Sequence, residues 1–291
     1  MVDLSTLPVP QVIEEIDYEA ILARQTQKFQ ELWEAVRLAN PDLDLPQYDV
    51  AILETDPVTV VLQGNSYRET GERVSVNNAA RSNLLGYATG ADLDAVAADH
   101  GVTRLTGESD KALRERVVLA DRGRSTAGPE EWYEFHARSV DADIRDVAVY
   151  RTGTGPALEV AILTHSNGGV PDDDLLEAVA AAVGAPTIRS INDIVGVVPA
   201  VKTTVNVSAE VWLLPDAPMA VFAGLESGLR AALDAEGGIG FDINRSWLTA
   251  RLSPSGVAKV NLVAPASDTV MDRFSAAALG TISLTFMGRS R

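Results

Sequence analysis

The sequence predicts an α+β protein: a region of long helices and a small helical middle part, followed by two small α+β domains. Three observations predict it. In the first half, apolar residues recur every three or four positions, the helical period. After Asp141 the texture changes to short β-branched runs separated by turn residues and single helices. The strand–helix–strand scheme then comes twice, which implies two units rather than one large sheet. The expected division is 1–88 (helical, bundle-forming), 89–140 (helical middle domain), 141–200 (α+β) and 201–291 (C-terminal α+β).

Taken in order, a helix is expected from Val9-Pro10 to Asn40-Pro41, with Ile13, Ile16, Ala20, Ala23, Phe29, Trp33 and Val36 on its apolar stripe. Pro41 stops it, and the acidic segment 41–56 reads as an extended connector. Asp56-Pro57 is a helix start, a capping carboxylate followed by proline at the first helical position. That helix is expected to reach about Tyr87, weakened by Gly64 and Gly71 at ~1 kcal/mol each relative to alanine. Two such glycines in one helix call for close neighbours or a bend. A short helix runs from Gly90-Ala91-Asp92 to His100, closed by Gly101. Glu108-Ser109-Asp110 opens another with Leu113, Val117 and Ala120, and Thr126-Ala127-Gly128-Pro129 opens a third with Trp132, Phe135 and His136. Strands over 144–150 and 158–164 flank Gly153-Thr154-Gly155-Pro156, a hairpin signature. Then come a helix 171–183, strands 193–198 and 201–214, helices 218–235 and 245–252, and strands 257–263 and 282–286.

A chain of 291 residues with 46% apolar content has room for a sizeable core in two or three domains. No apolar run approaches the ~18–20 residues that cross a bilayer. Met1-Val2-Asp3-Leu4 opens without a basic region followed by an apolar stretch, so no secretory signal is expected. Cysteine is absent, which removes disulfides and thiolate chemistry and fits a reducing compartment. The formal charge of −17 is uneven: 3 basic against 12 acidic residues in 1–60, 9 against 10 in 61–130, 4 against 11 in 131–200, and 8 against 8 in 201–291. Such a surface is repelled by phosphate backbones and anionic headgroups, so neither nucleic acid nor membrane is expected as a direct partner.

Candidate chemistry is thin. His100, His136 and His165 stand far apart with no metal-ligand spacing, and a structural role is expected of each. Asp172-Asp173-Asp174 follows a proline and precedes Leu175-Leu176, the place where a helix first turn prefers negative charge. Gly153-Thr154-Gly155 and Gly237-Gly238-Ile239-Gly240 lack the context of a dinucleotide or phosphate loop and read as turns. No Gly-x-Ser-x-Gly element is present. The cationic stretch Arg104, Lys111, Arg114, Arg116, Arg122 and Arg124 is interleaved with acids, as on an ion-paired helix face; the sharper reading is a contact surface for an acidic partner.

Asn77-Asn78-Ala79-Ala80-Arg81 and Tyr87-Ala88-Thr89-Gly90-Ala91-Asp92-Leu93-Asp94 resemble the baseplate J-like family, wedge and assembly proteins of contractile phage tails and related injection systems. Asp3-Leu4-Ser5-Thr6-Leu7-Pro8-Val9-Pro10, the stretch Glu14-Glu15-Ile16-Asp17-Tyr18, Glu54-Thr55-Asp56-Pro57, and the paired starts Glu108-Ser109-Asp110 and Thr126-Ala127-Gly128 resemble it too, in order. Gly71-Glu72 departs from the pattern, which bears on the straightness and contacts of that helix.

The resemblance implies a structural wedge protein and no enzyme, with no cofactor and no catalytic residue. It implies pairing with a second copy and contact with other wedge proteins, a sheath-initiator-like protein W and tail protein I. Ring neighbours, and indirectly spike and tube, complete the implied partners. The implied place is the virion tail baseplate of a phage, tailocin or similar particle, assembled in the host bacterial cytoplasm. Residues expected at partner interfaces are Phe29, Trp33, Tyr67, Arg68, Asn77, Asn78, Arg81, Arg114 and Arg116. The competing readings are a tail-associated cell-wall or glycan hydrolase, which needs a cleft with a raised-pKa carboxylate, and a receptor-binding module, which 5% aromatic content disfavours.

Overall fold

Asp17, not Val9-Pro10, sets the start of the first helix. Its carboxylate accepts the N–H groups of Glu19 at 2.9 Å and Ala20 at 3.5 Å, the geometry of an N-cap, and α1 runs over Tyr18–Ala39. Ile16 therefore precedes the helix. The computed structural model describes residues 8, 10, 12, 16–47, 56–125 and 128–290. Ile13, half of the connector (48–55), and Thr126-Ala127 lie outside the described residues. Asn40 closes α1 by donating from its side chain to Val36 O at 2.8 Å, and Pro41–Leu43 forms a single 3-10 turn.

Helix α2 spans Pro57–Arg81, capped by Asp56 as its sequence requires. It ends six residues short of Tyr87 for a local reason. Asn78 O still accepts the Ser82 N–H at 3.0 Å, with Ser82 Oγ added at 3.2 Å, but Asn83 Nδ2 donates to Ala79 O at 2.7 Å, so a side chain takes the next carbonyl that a continuing ladder would use. Tighter turns follow, Leu84 N–H to Arg81 O and Tyr87 N–H to Leu84 O. Gly90, at φ +53°, opens α3 (Gly90–Asp99), and Gly101, at φ +75°, lies just past its end. The chain divides into two compact units at this point, Met1–Asp99 and His100–Arg291.

In the second unit α4 covers Asp110–Gly123 and α5 Glu130–Arg138. They cross closely at Gly123, where a Cβ would stand 3.0 Å from Trp132 Cα. Strands β1 (Ile144–Arg151) and β2 (Ala157–Thr164) form the expected antiparallel hairpin, with Val149 opposite Val160. Asp172 caps α6 (Asp173–Val183) by accepting Leu175 N–H at 2.8 Å, and β3 (Ile194–Pro199) returns parallel to β2. Tyr133, Ile144, Val160, Ile162, Val179 and Val183 close this core.

The second sheet has the order β5-β4-β6. Here β4 is Val201–Leu213, β5 Val257–Ala264 and antiparallel to it, and β6 Ser275–Arg289 and parallel to it. Alternating Val205, Val207, Ala209, Val211 and Leu213 point into a core with Leu225, Leu229 and Leu248. The helix expected over 218–235 divides at Gly224 into α7 (Met219–Ala223) and α8 (Leu225–Glu236), and α9 is Arg245–Arg251. Strand β6 is much longer than 282–286: Ala276-Ala277-Ala278 carries little strand propensity, and parallel pairing with β4 overrides it. Gly280 sits at the β4 irregularity between Val205 and Val207, where a Cβ would strike Asn206 Oδ1. The fold is α+β, as the sequence implies.

Candidate partner interface

Helices α1 and α2 are joined through one carboxylate. Glu69 accepts from Gln25 Nε2 at 2.8 Å, Arg24 Nη2 at 2.7 Å and Arg73 Nη2 at 2.8 Å. The Gln25 amide, then the Arg73 and Arg24 guanidiniums, hold its carboxyl below the usual carboxylate range against the opposing effect of burial. Phe29 and Trp33 stack along α1 with centroids 6.3 Å apart, and Trp33 Nε1 donates to Pro46 O at 2.7 Å. Trp33 thus ties down the segment that leaves α1.

The Asn77–Arg81 motif holds the chain's own N-terminal segment. Asn77 is buried and its Oδ1 accepts Val12 N–H at 2.9 Å; Arg81 Nε donates to Pro10 O at 3.2 Å; Tyr87 OH donates to Pro8 O at 2.6 Å. The sequence points Asn77 and Arg81 toward partners and does not by itself link them to this segment. The one local signal is the polar pair at positions i and i+4 of α2, on one helix face.

The other face of α2 is exposed. Val60, Gly64, Tyr67, Gly71, Val74 and Asn78 recur at alternating steps of four and three, the spacing of a two-helix seam, and all six are open. Tyr67 is 78% exposed, and neither Gly64 nor Gly71 has an atom within 4 Å of where a Cβ would stand. Val61, at 61%, and Leu38 on α1, at 71%, add apolar surface, while Arg68 stays in solvent at 3.5 Å from Glu72.

Arg116 belongs elsewhere. Its side chain is 4% exposed and Glu108's 2%, with Nε 2.6 Å from Glu108 Oε1; Nη1 donates to Ser139 Oγ and Nη2 to Thr103 O. It ties three segments inside the second unit and has no surface to offer. Arg104 pairs with Asp110 at 2.8 Å and Arg124 with Asp121 at 3.4 Å, so this part of the cationic stretch is internally ion-paired; Arg114 is half-buried.

His100 Nδ1 meets Asp121 at 2.9 Å. His136 lies edge-on to Trp132 (4.2 Å) and Phe135 (5.1 Å), and burial pushes its pKa down. Burial, with Asp146, Glu131 and Glu130 nearby, pushes the Glu134 carboxyl up to about 7. Glu134 does not line the cleft of about 270 Å³ bounded by Gly128, Tyr133, Arg151, Ser190 and Asp193, in which Tyr133 OH already donates to Asp193 at 2.7 Å. Among the described residues no cluster of three or more His, Asp or Glu groups forms a metal site, and no helix is long and apolar enough to cross a membrane.

Two family models match: the baseplate J-like N-terminal domain over residues 54–110 and the baseplate J-like central domain over 125–200. Baseplate protein J of Escherichia phage P2 is 33% identical over 289 residues, covering 94% of this chain and 93% of that protein. The first match contains the open face of α2 and the Asn77–Arg81 motif; the second contains the β1-β2-β3 sheet with α5 and α6. The chain therefore belongs to the baseplate J-like family, and its role is structural, in the baseplate of a phage tail.

Proposed function

We propose that this chain is a wedge scaffold that pairs with a second copy and builds a ring around the tube and spike. In this reading the α1–α2 region bundles with helices of neighbouring wedge proteins, such as sheath-initiator-like and tail protein I-like partners. The α+β domains reach between wedges to close the ring. Segments 41–56 and 88–91 act as hinges when the sheath contracts. The four-part division at 88, 140 and 200 separates the bundle-forming region, the helical middle domain and the two α+β domains.

One observation carries the proposal: the open heptad-spaced face of α2. An exposed helix face with valine, tyrosine and two glycines gains by meeting another helix, since the glycines let two backbones approach closely while Val60, Tyr67 and Val74 leave water. Charge distribution supports protein partners, because the acidic first 60 residues and the neutral last 91 present different surfaces.

The test is co-assembly. The purified chain, mixed with the other baseplate proteins encoded beside it, should give a complex of defined mass by light scattering. A chain that remains monomeric with every such protein would refute the wedge reading, and turnover of cell-wall substrate by that monomer would favour the hydrolase.

A further inference from the structure

The chain passes from β3 to β4 through Ala200 alone. That single residue has no slack: Ala200 N–H donates to Ile162 O at 2.9 Å in the first sheet, and Val201 N–H to Phe274 O at 3.1 Å in the second lobe. Side chains from the first lobe then close on the end of α8. Arg145 Nη2 donates to Leu233 O at 2.6 Å and Gly237 O at 2.9 Å, and Nη1 lies 3.6 Å from Asp234. Lys111 Nζ reaches Ala235 O at 3.4 Å. These carbonyls lie in the last turn of a helix and just past it, at the negative end of its dipole, so cations suit them even where, as at Leu233 O, the Gly237 N–H already donates at 2.8 Å.

Asp146 completes the clamp by accepting Ile239 N–H at 2.8 Å on one oxygen and Val147 N–H at 2.9 Å on the other. The glycine run answers to this contact. A Cβ at Gly238 would stand 2.5 Å from Asp146 Oδ2, and one at Gly237 2.6 Å from Leu233 O. Ala161, Leu163, Ala200 and Ala276 form a buried seam in which Ile239 packs, and Tyr150 meets Phe274 with centroids 5.2 Å apart.

We propose that Arg145 and Asp146 fix the angle between the two sheets, so that residues 141–291 behave as one stiff arm rather than two hinged domains. The inference stands on the joint itself and holds whatever the arm touches. A hinge needs few buried contacts and a connector able to absorb dihedral change. Here the connector is one residue bonded on both sides, and Arg145, with a side chain 15% exposed, spans the gap.

The absence of cysteine makes a clean test possible. Spin labels at Ala178→Cys on α6 and Ala231→Cys on α8, in the full chain, report the distance between lobes by pulsed electron resonance. The proposal expects one narrow distance, displaced or broadened when Arg145→Ala and Asp146→Ala are combined, and unchanged by Arg189→Ala, which lies off the joint. Should the double variant fail to fold, Arg145→Lys and Gly238→Ala separately carry the same expectation. A broad or multiple distribution in the labelled parent overturns the stiff arm. A clamp variant as narrow and as centred as the parent removes Arg145 and Asp146 from that role.

Discussion

At the scale of single residues, the second unit depends on charges it encloses. Removing Arg116 leaves Glu108 charged and buried with no cation, so Arg116→Ala should lower unfolding stability by about 3–5 kcal/mol in denaturant titration. Arg68→Ala, which removes an exposed pair, should stay within ~0.5 kcal/mol of the parent. Equal effects would contradict the placement of Arg116. Glu134 makes the protein sensitive to pH. Its carboxyl titrates at about 7 in the fold against 4.5 for the free group, so the folded chain holds the extra proton and stability falls as pH rises across that window. With screening allowed for, the loss is on the order of 1–2 kcal/mol, and Glu134→Gln should abolish it. His136 acts with the opposite sign: its depressed pKa keeps it neutral, so stability present above about pH 6.5 is lost as pH falls. Melting temperatures of Glu134→Gln and His136→Phe against pH separate the two. The identity of these buried groups was not legible in the sequence, because a charge enclosed by residues 8, 13 and 23 positions away looks like one more member of an ion-paired helix face.

At the scale of elements, boundaries with a local capping or turn signal were legible and those without one were not. Asp56-Pro57, Ser109, Asp172 and the Gly153–Pro156 hairpin each carry a short-range physical signature, and each stands where that signature puts it. The early stop of α2 goes with the Ser82 and Asn83 side chains turning back on the Asn78 and Ala79 carbonyls, and the length of β6 depends on a partner strand about 75 residues away, as Thr281 N–H to Asn206 shows. Neither is visible in a window of neighbouring residues. The glycines of α2 give the sharpest prediction at this scale. In the free chain Gly64→Ala and Gly71→Ala meet no neighbour, so each should raise helix stability by ~1 kcal/mol. In the assembly the added methyl groups stand in the seam, so the same substitutions should weaken partner binding. Opposite signs in thermal unfolding of the free chain and in pull-down yield are the expected result; matching signs would mean that the glycines do not face a partner.

At the scale of the molecule, family membership and the α+β class were both legible, since ordered motifs and a change of periodicity survive without tertiary information. The residues expected at partner interfaces fall in different places. Tyr67, Arg68 and Asn78 lie on the open face of α2, whereas Asn77 and Arg81 bond Val12 and Pro10 and Arg116 is enclosed. The difference is one of helix phase, which depends on what packs against each side. The central claim is that the open face of α2 is where this structural protein joins its neighbours. Its most direct test is the mass, by light scattering, of the baseplate subcomplex formed with Val60→Glu, Tyr67→Glu and Val74→Glu combined. The account predicts that the variant keeps the parent's helical circular dichroism and unfolding midpoint but fails to form the complex. A folded variant that assembles to the same mass as the parent would contradict it.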